Sequence, residues 1–125
     1  MLKYVELKSG YSDNGPAWIG RVMLSKSRQT IYFNGKALKR SSRGGVKGNH
    51  FDIETREEYW ISGVKKDGAD RHWAGRGKVF IEKSAVVEYL ELTGANALDR
   101  KRLQVIPDLP PPDPKEFTQS ENERL

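Results

Sequence analysis

The segment Thr30-Ile31-Tyr32-Phe33-Asn34-Gly35-Lys36-Ala37-Leu38-Lys39 restricts the fold more than any other stretch of the chain. The β-branched and aromatic side chains before the Asn-Gly pair suit a pleated, half-buried surface. Asn34 and Gly35 both tolerate positive φ, which a two-residue type I′ turn demands at its two central positions. Such a turn sets the register: Ile31 opposite Leu38, Tyr32 opposite Ala37, Thr30 opposite Lys39. One face then directs Ile31, Phe33 and Leu38 toward a core. The other directs Tyr32, Ala37 and Lys39 outward. An isolated hairpin is marginal in water, so other strands must complete it.

The remaining chain supplies them. Lys3 to Lys8 alternates, with Lys3, Val5 and Leu7 on one side and Tyr4, Glu6 and Lys8 on the other. Gly10 to Pro16 is a run of turn formers. Ala17 to Leu24 reads as a second strand, where Trp18, Val22 and Leu24 share a face across Gly20, and Ser25-Lys26-Ser27 as the turn after it. Further strands are expected at His50 to Ile53, Glu58 to Val64, Arg71 to Ala74 and Lys78 to Ile81, with a turn at Lys66-Asp67-Gly68. Ser84 suits the N-cap of a short helix, with Val86, Tyr89, Leu90 and Thr93 at helical spacing and Gly94 as its stop. Leu103 to Ile106 reads either as a small edge strand or as an extended arm. Five prolines between Pro107 and Pro114 favour an extended, unpacked conformation.

The architecture expected is therefore mainly β: a small SH3-like barrel or rolled antiparallel sheet with one short C-terminal helix, followed by a flexible Pro-rich tail. Residues 1–94 form a small β-rich globular domain, and residues 95–125 an extended arm and largely disordered tail. A chain of 125 residues has room for one modest core and none for separate cofactor and substrate domains. Cysteine is absent, which removes disulfides, thiol nucleophiles and Cys-based zinc sites. With no apolar run of signal-peptide or membrane-spanning length, a cytoplasmic, bacterial-type protein without membrane contact is expected.

Gly15-Pro16-Ala17-Trp18-Ile19-Gly20, Thr30 to Lys36, Phe51-Asp52-Ile53-Glu54-Thr55, Glu58 to Gly68 and Asp70-Arg71-His72-Trp73 together resemble a group of small bacterial proteins without an established role. Some of that group are labelled 1-deoxy-D-xylulose-5-phosphate synthase. The resemblance covers most of residues 1–94 and implies no catalytic residue. A thiamine-diphosphate enzyme holds its diphosphate through a divalent metal inside a substantial cleft. This sequence has no acidic motif for that metal and too little volume for the cleft, so no cofactor and no synthase activity are expected.

Charge distribution points elsewhere. The net charge of +5 resolves into +6 over residues 1–94 and −1 over residues 95–125. Arg21, Lys26, Arg28, Lys36, Lys39, Arg40, Arg43 and Lys47 all fall between residues 21 and 48, where no acid occurs. Converging cations attract phosphates and release their counterions irrespective of base sequence. The Gly-rich loop 42–48 adds backbone N–H groups that can surround an anion. The nucleic-acid-binding set expected is Arg28, Tyr32, Lys36, Lys39, Arg40, Arg43 and Lys47, with Tyr32 as a stacking platform. The plain alternative is a solubilising basic surface, neutralised by the acids that follow from Asp52 to Glu58.

A second constellation, Lys65-Lys66-Asp67-Gly68-Ala69-Asp70-Arg71-His72-Trp73, mixes both charge signs on a loop. Lys65, Lys66, Arg71 and His72 suit contact with a protein partner, Trp73 a place in the core. Asp67, Asp70 and His72 match no metal-loop pattern, so no metal is expected. His50 and His72 admit a ribonuclease reading, one as base and one as acid, although nothing in their spacing brings the rings together. Trp18 and Trp60 read as core or rim aromatics, and the prolines of the tail as a spacer or a ligand for an aromatic groove. The leading expectation is a non-enzymatic module binding nucleic acid or another polyanion. A protein-interaction adaptor that uses loop 65–73 and the tail comes second, and a small ribonuclease third.

Overall fold

A computed structural model describes residues 1–8, 15–41, 48–68, 70 and 77–110. The strand expected at Arg71 to Ala74 and the place of Trp73 lie outside these residues, as does the tail beyond Pro110. Nine strands form one sheet: β1 (Leu2–Leu7), β2 (Ala17–Arg21), β3 (Met23–Leu24), β4 (Thr30–Phe33), β5 (Lys36–Arg40), β6 (His50–Asp52), β7 (Glu58–Gly63), β8 (Val79–Glu82) and β9 (Leu103–Ile106). Their order across the sheet is β3-β4-β5-β6-β7-β1-β2-β8-β9. Between β8 and β9 come a 3₁₀ turn (Lys83–Ala85) and one helix, α1 (Val86–Thr93).

The order explains the curl. β2 and β3 are separated only by Val22, yet six pairings lie between them across the sheet. The path from β3 round to β2 therefore returns to the same bent segment, and the sheet rolls into a half-barrel. Val22 is the corner, its N–H bonded to the Met1 carbonyl at 2.8 Å. Gly20 sits just before the bend because a Cβ there would lie 2.3 Å from Glu82 Oε1 and 2.9 Å from the Phe33 ring. Those two groups come from β8 and β4. Only a residue without a side chain lets them meet over β2.

Each face of the sheet has its own core. Val5, Val22, Ile31, Phe33, Leu38, Tyr59 and Ile61 pack on the inner face, with Trp18 edge-on to Phe33 at 6.0 Å between ring centroids. Tyr4, Ala17, Ile19, Val79, Ile81 and Leu103 pack on the opposite face, beneath Ala85 and Tyr89 of the helical segment. Adjacent residues Tyr4 and Val5 thus enter different cores, and both are fully buried. On β1 both sides of the alternation are covered: Glu6 is buried, accepts a hydrogen bond from the Tyr4 hydroxyl and pairs with Lys8 at 2.8 Å.

The hairpin has the expected register, Ile31 opposite Leu38, Tyr32 opposite Ala37 and Thr30 opposite Lys39. Asn34 and Gly35 adopt φ of 51° and 69°. Three expectations need correction. The sheet is not wholly antiparallel, because β8 pairs in parallel with both β2 and β9. Parallel neighbours require a crossover, and the helical segment is the crossover from β8 to β9. The chain also remains in the sheet through Ile106, so the packed unit extends past the boundary expected at Gly94. Finally, Ser84 makes no side-chain cap and lies inside the 3₁₀ turn, with Ala85 at the cap of α1. Gly94 does end α1 in the left-handed conformation, at φ 72°.

Packing at the bend yields a paired prediction. Gly20→Ala should lower stability by about 1–3 kcal/mol through overpacking. Gly63→Ala, with nothing within 4 Å of the added Cβ, should stay within about 0.5 kcal/mol. Urea denaturation of the two variants checks both, and equal losses would contradict the crowding at Gly20.

Candidate nucleic-acid interface

Strand direction decides where the charges go. β5 and β7 both run antiparallel to β6, so they point the same way, and β4 enters where β5 leaves. The segments carrying Lys26 and Arg28, Lys39 and Arg40, and Lys65 and Lys66 therefore all lie at one end of these strands. The Asn34-Gly35 turn, Lys36 and the acidic turn that follows β6 lie at the other.

Serines shape the turn that presents Arg28. The Ser25 N–H donates to the Thr30 carbonyl at 2.9 Å, and the Arg28 N–H to the Ser25 carbonyl at 3.0 Å. Ser25 Oγ receives the Thr30 N–H at 3.1 Å, and Ser27 Oγ the Gln29 N–H at 3.3 Å. Arg28 closes this turn at φ 61°, a left-handed conformation that a non-glycine residue holds only when its surroundings over-determine it. Its side chain is exposed. The Arg40 N–H continues the ladder to the Gln29 carbonyl at 2.7 Å, which places Arg40 next to the turn.

The hairpin between β5 and β6 is pinned at its base. The Ser41 N–H donates to the Asn49 carbonyl at 2.9 Å, and the Asn49 N–H to the Tyr59 carbonyl at 2.9 Å. The Asn49 carboxamide acts as one more backbone unit, donating to the Ile61 carbonyl at 2.7 Å and accepting the Ile61 N–H at 2.8 Å. Arg43 and Lys47 lie outside the described residues, but their segment begins at Ser41 and returns at Gly48, both at the basic end.

Four of the cations, Lys26, Arg28, Lys39 and Arg40, make no ion pair among the described residues. The other two described members of the acid-free stretch do. Lys36 Nζ lies 3.5 Å from Asp52 Oδ2, and the Arg21 guanidinium binds Glu88 at 3.0 Å and the Ser84 carbonyl at 3.1 Å. Asp52 is only 2% exposed, and its other oxygen accepts the N–H groups of Glu54 and Thr55 at 2.8 and 3.3 Å. It organises the acidic turn and neutralises Lys36. Asp52 itself pairs with Leu38, one residue along β5 from Lys39 and two from Arg40, and the turn it organises runs on from there past Ala37. The Asp52 carboxylate is engaged by Lys36 and by the N–H groups of its own turn, and Lys39 and Arg40 make no ion pair with it. Lys39 has Glu58 in its own cross-sheet row, past Phe51, at about 10 Å between backbones. Arg40 and Lys39 project to opposite faces, so the cations share an end of the sheet and not a single face.

Tyr32 does not join them. Its side chain is 3% exposed and packs with Ala37, Ile53 and Phe51 on the outer face of the hairpin. Alternation identified the face correctly, but the small Ala37 leaves room for the tyrosine ring, and Ile53 from the turn after β6 closes over it. A buried ring offers no surface to a base, which corrects the stacking role expected for it. Among the described residues the exposed aromatic side chain is Trp60, at 41%; it lies on the outer face of β7, in register with Glu6.

His50 is 8% exposed, and its Nδ1–H donates to Asn49 Oδ1 at 2.8 Å. Burial, then the charges of Arg40 and Lys3, lower its pKa to about 4. At neutral pH the ring is uncharged and carries no proton to deliver as an acid. His72, its expected partner, lies outside the described residues. Lys65 and Lys66 are exposed beyond Val64, in a turn closed by the Gly68 N–H to the Lys65 carbonyl at 3.1 Å. Asp70 accepts the Lys65 N–H at 2.7 Å, and burial raises its pKa. Arg71 is again outside the described residues. Among the described residues no three His, Cys, Asp or Glu side chains are placed to hold a metal ion, and no helix is long and apolar enough to cross a membrane.

Lys26 is the cation that the expected set omitted. The signal for it lay in the serines on either side, which build the turn that exposes it. No family model, curated protein or solved structure matches the chain.

The histidine generates a pH prediction. In the unfolded chain His50 titrates near 6.5 and in the folded state near 4. Between these values the unfolded chain binds the extra proton, so the contribution is complete above pH 6.5 and is lost as the pH falls toward 4. It amounts to about 3 kcal/mol across that window. The stability difference between wild type and His50→Gln, measured by urea denaturation, should shrink by about that amount from pH 7 to pH 4. A constant difference would contradict a buried neutral ring.

Proposed function

We propose that this chain is a non-enzymatic binding module that contacts the phosphate backbone of nucleic acid. The observation that carries the reading is the set of four cations, Lys26, Arg28, Lys39 and Arg40, that make no ion pair among the described residues and lie toward the end of the strands opposite the Asn34-Gly35 turn. Two of them extend a rigid hairpin and two belong to a hydrogen-bonded turn, so little side-chain-bearing backbone must be ordered on binding. Arg43 and Lys47 join the same contact, because their segment is tethered at that end. Lys36 does not, since Asp52 already neutralises it. The arrangement reads charge and not base edges, for the one aromatic assigned to stacking is buried. Lys65 and Lys66 leave the sheet in the same direction, which favours a place in the polyanion contact over a separate protein-binding site.

Binding to duplex DNA should weaken with salt at a log–log slope of about −3 to −4, as expected when roughly four phosphates are neutralised. The double variant Arg28→Glu/Arg40→Glu should lose on the order of 100-fold in affinity at 0.1 M salt. Lys36→Gln should change it by less than about twofold. Affinity indifferent to salt, or an equal loss with Lys36→Gln, would overturn the reading.

A further inference from the structure

The residues that follow β9 are held in an unusual manner. Pro107-Asp108-Leu109-Pro110 adds nothing to the sheet, and among the described residues no backbone–backbone hydrogen bond fixes it. Three side-chain contacts hold it instead. The Leu109 N–H donates to Glu82 Oε2 at 3.0 Å, and the Ser84 N–H donates to Asp108 Oδ1 at 2.9 Å. The Leu109 side chain packs against the inner-face core that contains Val5, Val22 and Phe33.

The receiving groups are themselves rigidly placed. Glu82 is 6% exposed and its other oxygen accepts the Arg21 N–H at 3.0 Å, over the space that Gly20 leaves open. Trp18 stands beside it, with its ring 6.0 Å from Phe33 and 6.4 Å from Phe80. A fixed carboxylate for one backbone N–H, a free N–H for an acid one residue earlier, and an apolar seat between them are the elements by which a protein reads an extended peptide. Prolines on both sides keep such a peptide extended before it binds.

We infer that this seat is a peptide-docking site, occupied in cis by Asp108–Leu109 and open to a partner segment of the same chemistry, an acid followed by leucine between prolines. The chain's own segment competes for the seat at the high effective concentration of a short tether, so the site is masked until a partner displaces it. The partner segment lies across Trp18 and Gly20 with its leucine against Phe33. Its acid caps the Ser84 N–H.

The test uses the full-length chain and a labelled synthetic peptide with the sequence of residues 106–112. Fluorescence anisotropy should show binding at least 10-fold tighter to the variant Asp108→Ala/Leu109→Gly than to wild type, because the cis competitor is gone. The Trp18 indole and Gly20 amide resonances should shift as peptide is added, and a peptide with Leu109→Asp should bind neither protein. Equal affinity for wild type and variant overturns the proposal, as does binding that ignores the leucine. So does a concentration-dependent wild-type dimer that peptide leaves intact, which would assign the seat to a second copy. Should the variant lose its near-ultraviolet circular dichroism, the wild type alone decides: millimolar peptide must shift the Leu109 amide as that segment is displaced. An unmoved Leu109 resonance sinks the idea.

Discussion

Glu82, Phe33 and Gly20 meet at the point where the sheet returns on itself, and the rest of the molecule depends on that meeting. A buried carboxylate must have its oxygens satisfied, and Glu82 achieves this with N–H groups from Arg21 and Leu109. In doing so it joins β8 to the bend of β2 and to the segment after β9. Phe33 arrives from the far side of the sheet and closes the inner core against Trp18. Without a hydrogen at the Gly20 Cα in place of a side chain, neither group reaches its position. Closure of the inner core, the parallel pairings of β8 and the seat of Leu109 are three results of one close approach.

Closure also sorts the charges. Antiparallel succession through β4, β5, β6 and β7 alternates the chain between two ends, and the sequence places its basic and acidic segments in step with that alternation. Asp52 is the pivot, since it ties the acidic turn together and neutralises the one hairpin cation at that end. Lys39 and Arg40 lie one and two residues along β5 from its cross-strand partner Leu38, yet the carboxylate is taken by Lys36. A charge count along the chain shows the excess of positive residues. The fold decides which of them pair with the acids that follow so closely in sequence.

The hairpin was legible because its information is local: Asn34-Gly35 selects the turn, and the turn fixes every cross-strand partner. The fate of Tyr32 was not, because alternation assigns a face but does not say whether another segment covers it, and Ile53 comes from a turn two strands along. Glu6 and Tyr4 show the same effect on β1, where the second face is buried under neighbours distant in sequence. The pairing of β8 with β9 depends on a helix crossing over the sheet, and that of β8 with β2 joins strands 58 residues apart (Arg21 to Val79), for neither of which sequence spacing gives a register. Ser84 has the composition of a cap, yet the group that satisfies its N–H is Asp108, 24 residues later. That Arg28, Lys39 and Arg40 make no ion pair among the described residues belongs to the same class of fact, being a consequence of which end each strand reaches.

The central claim is that phosphate contact is confined to one end of the strands. Backbone amide chemical-shift mapping with a short DNA duplex tests it most directly, since it reports position and not only affinity. Perturbations should concentrate at residues 26–30, 39–41 and 48–50, and leave Asn34 to Lys36 and Ile53 to Glu57 unmoved. Shifts centred on the Asn34-Gly35 turn, or spread evenly over both ends, would contradict the account.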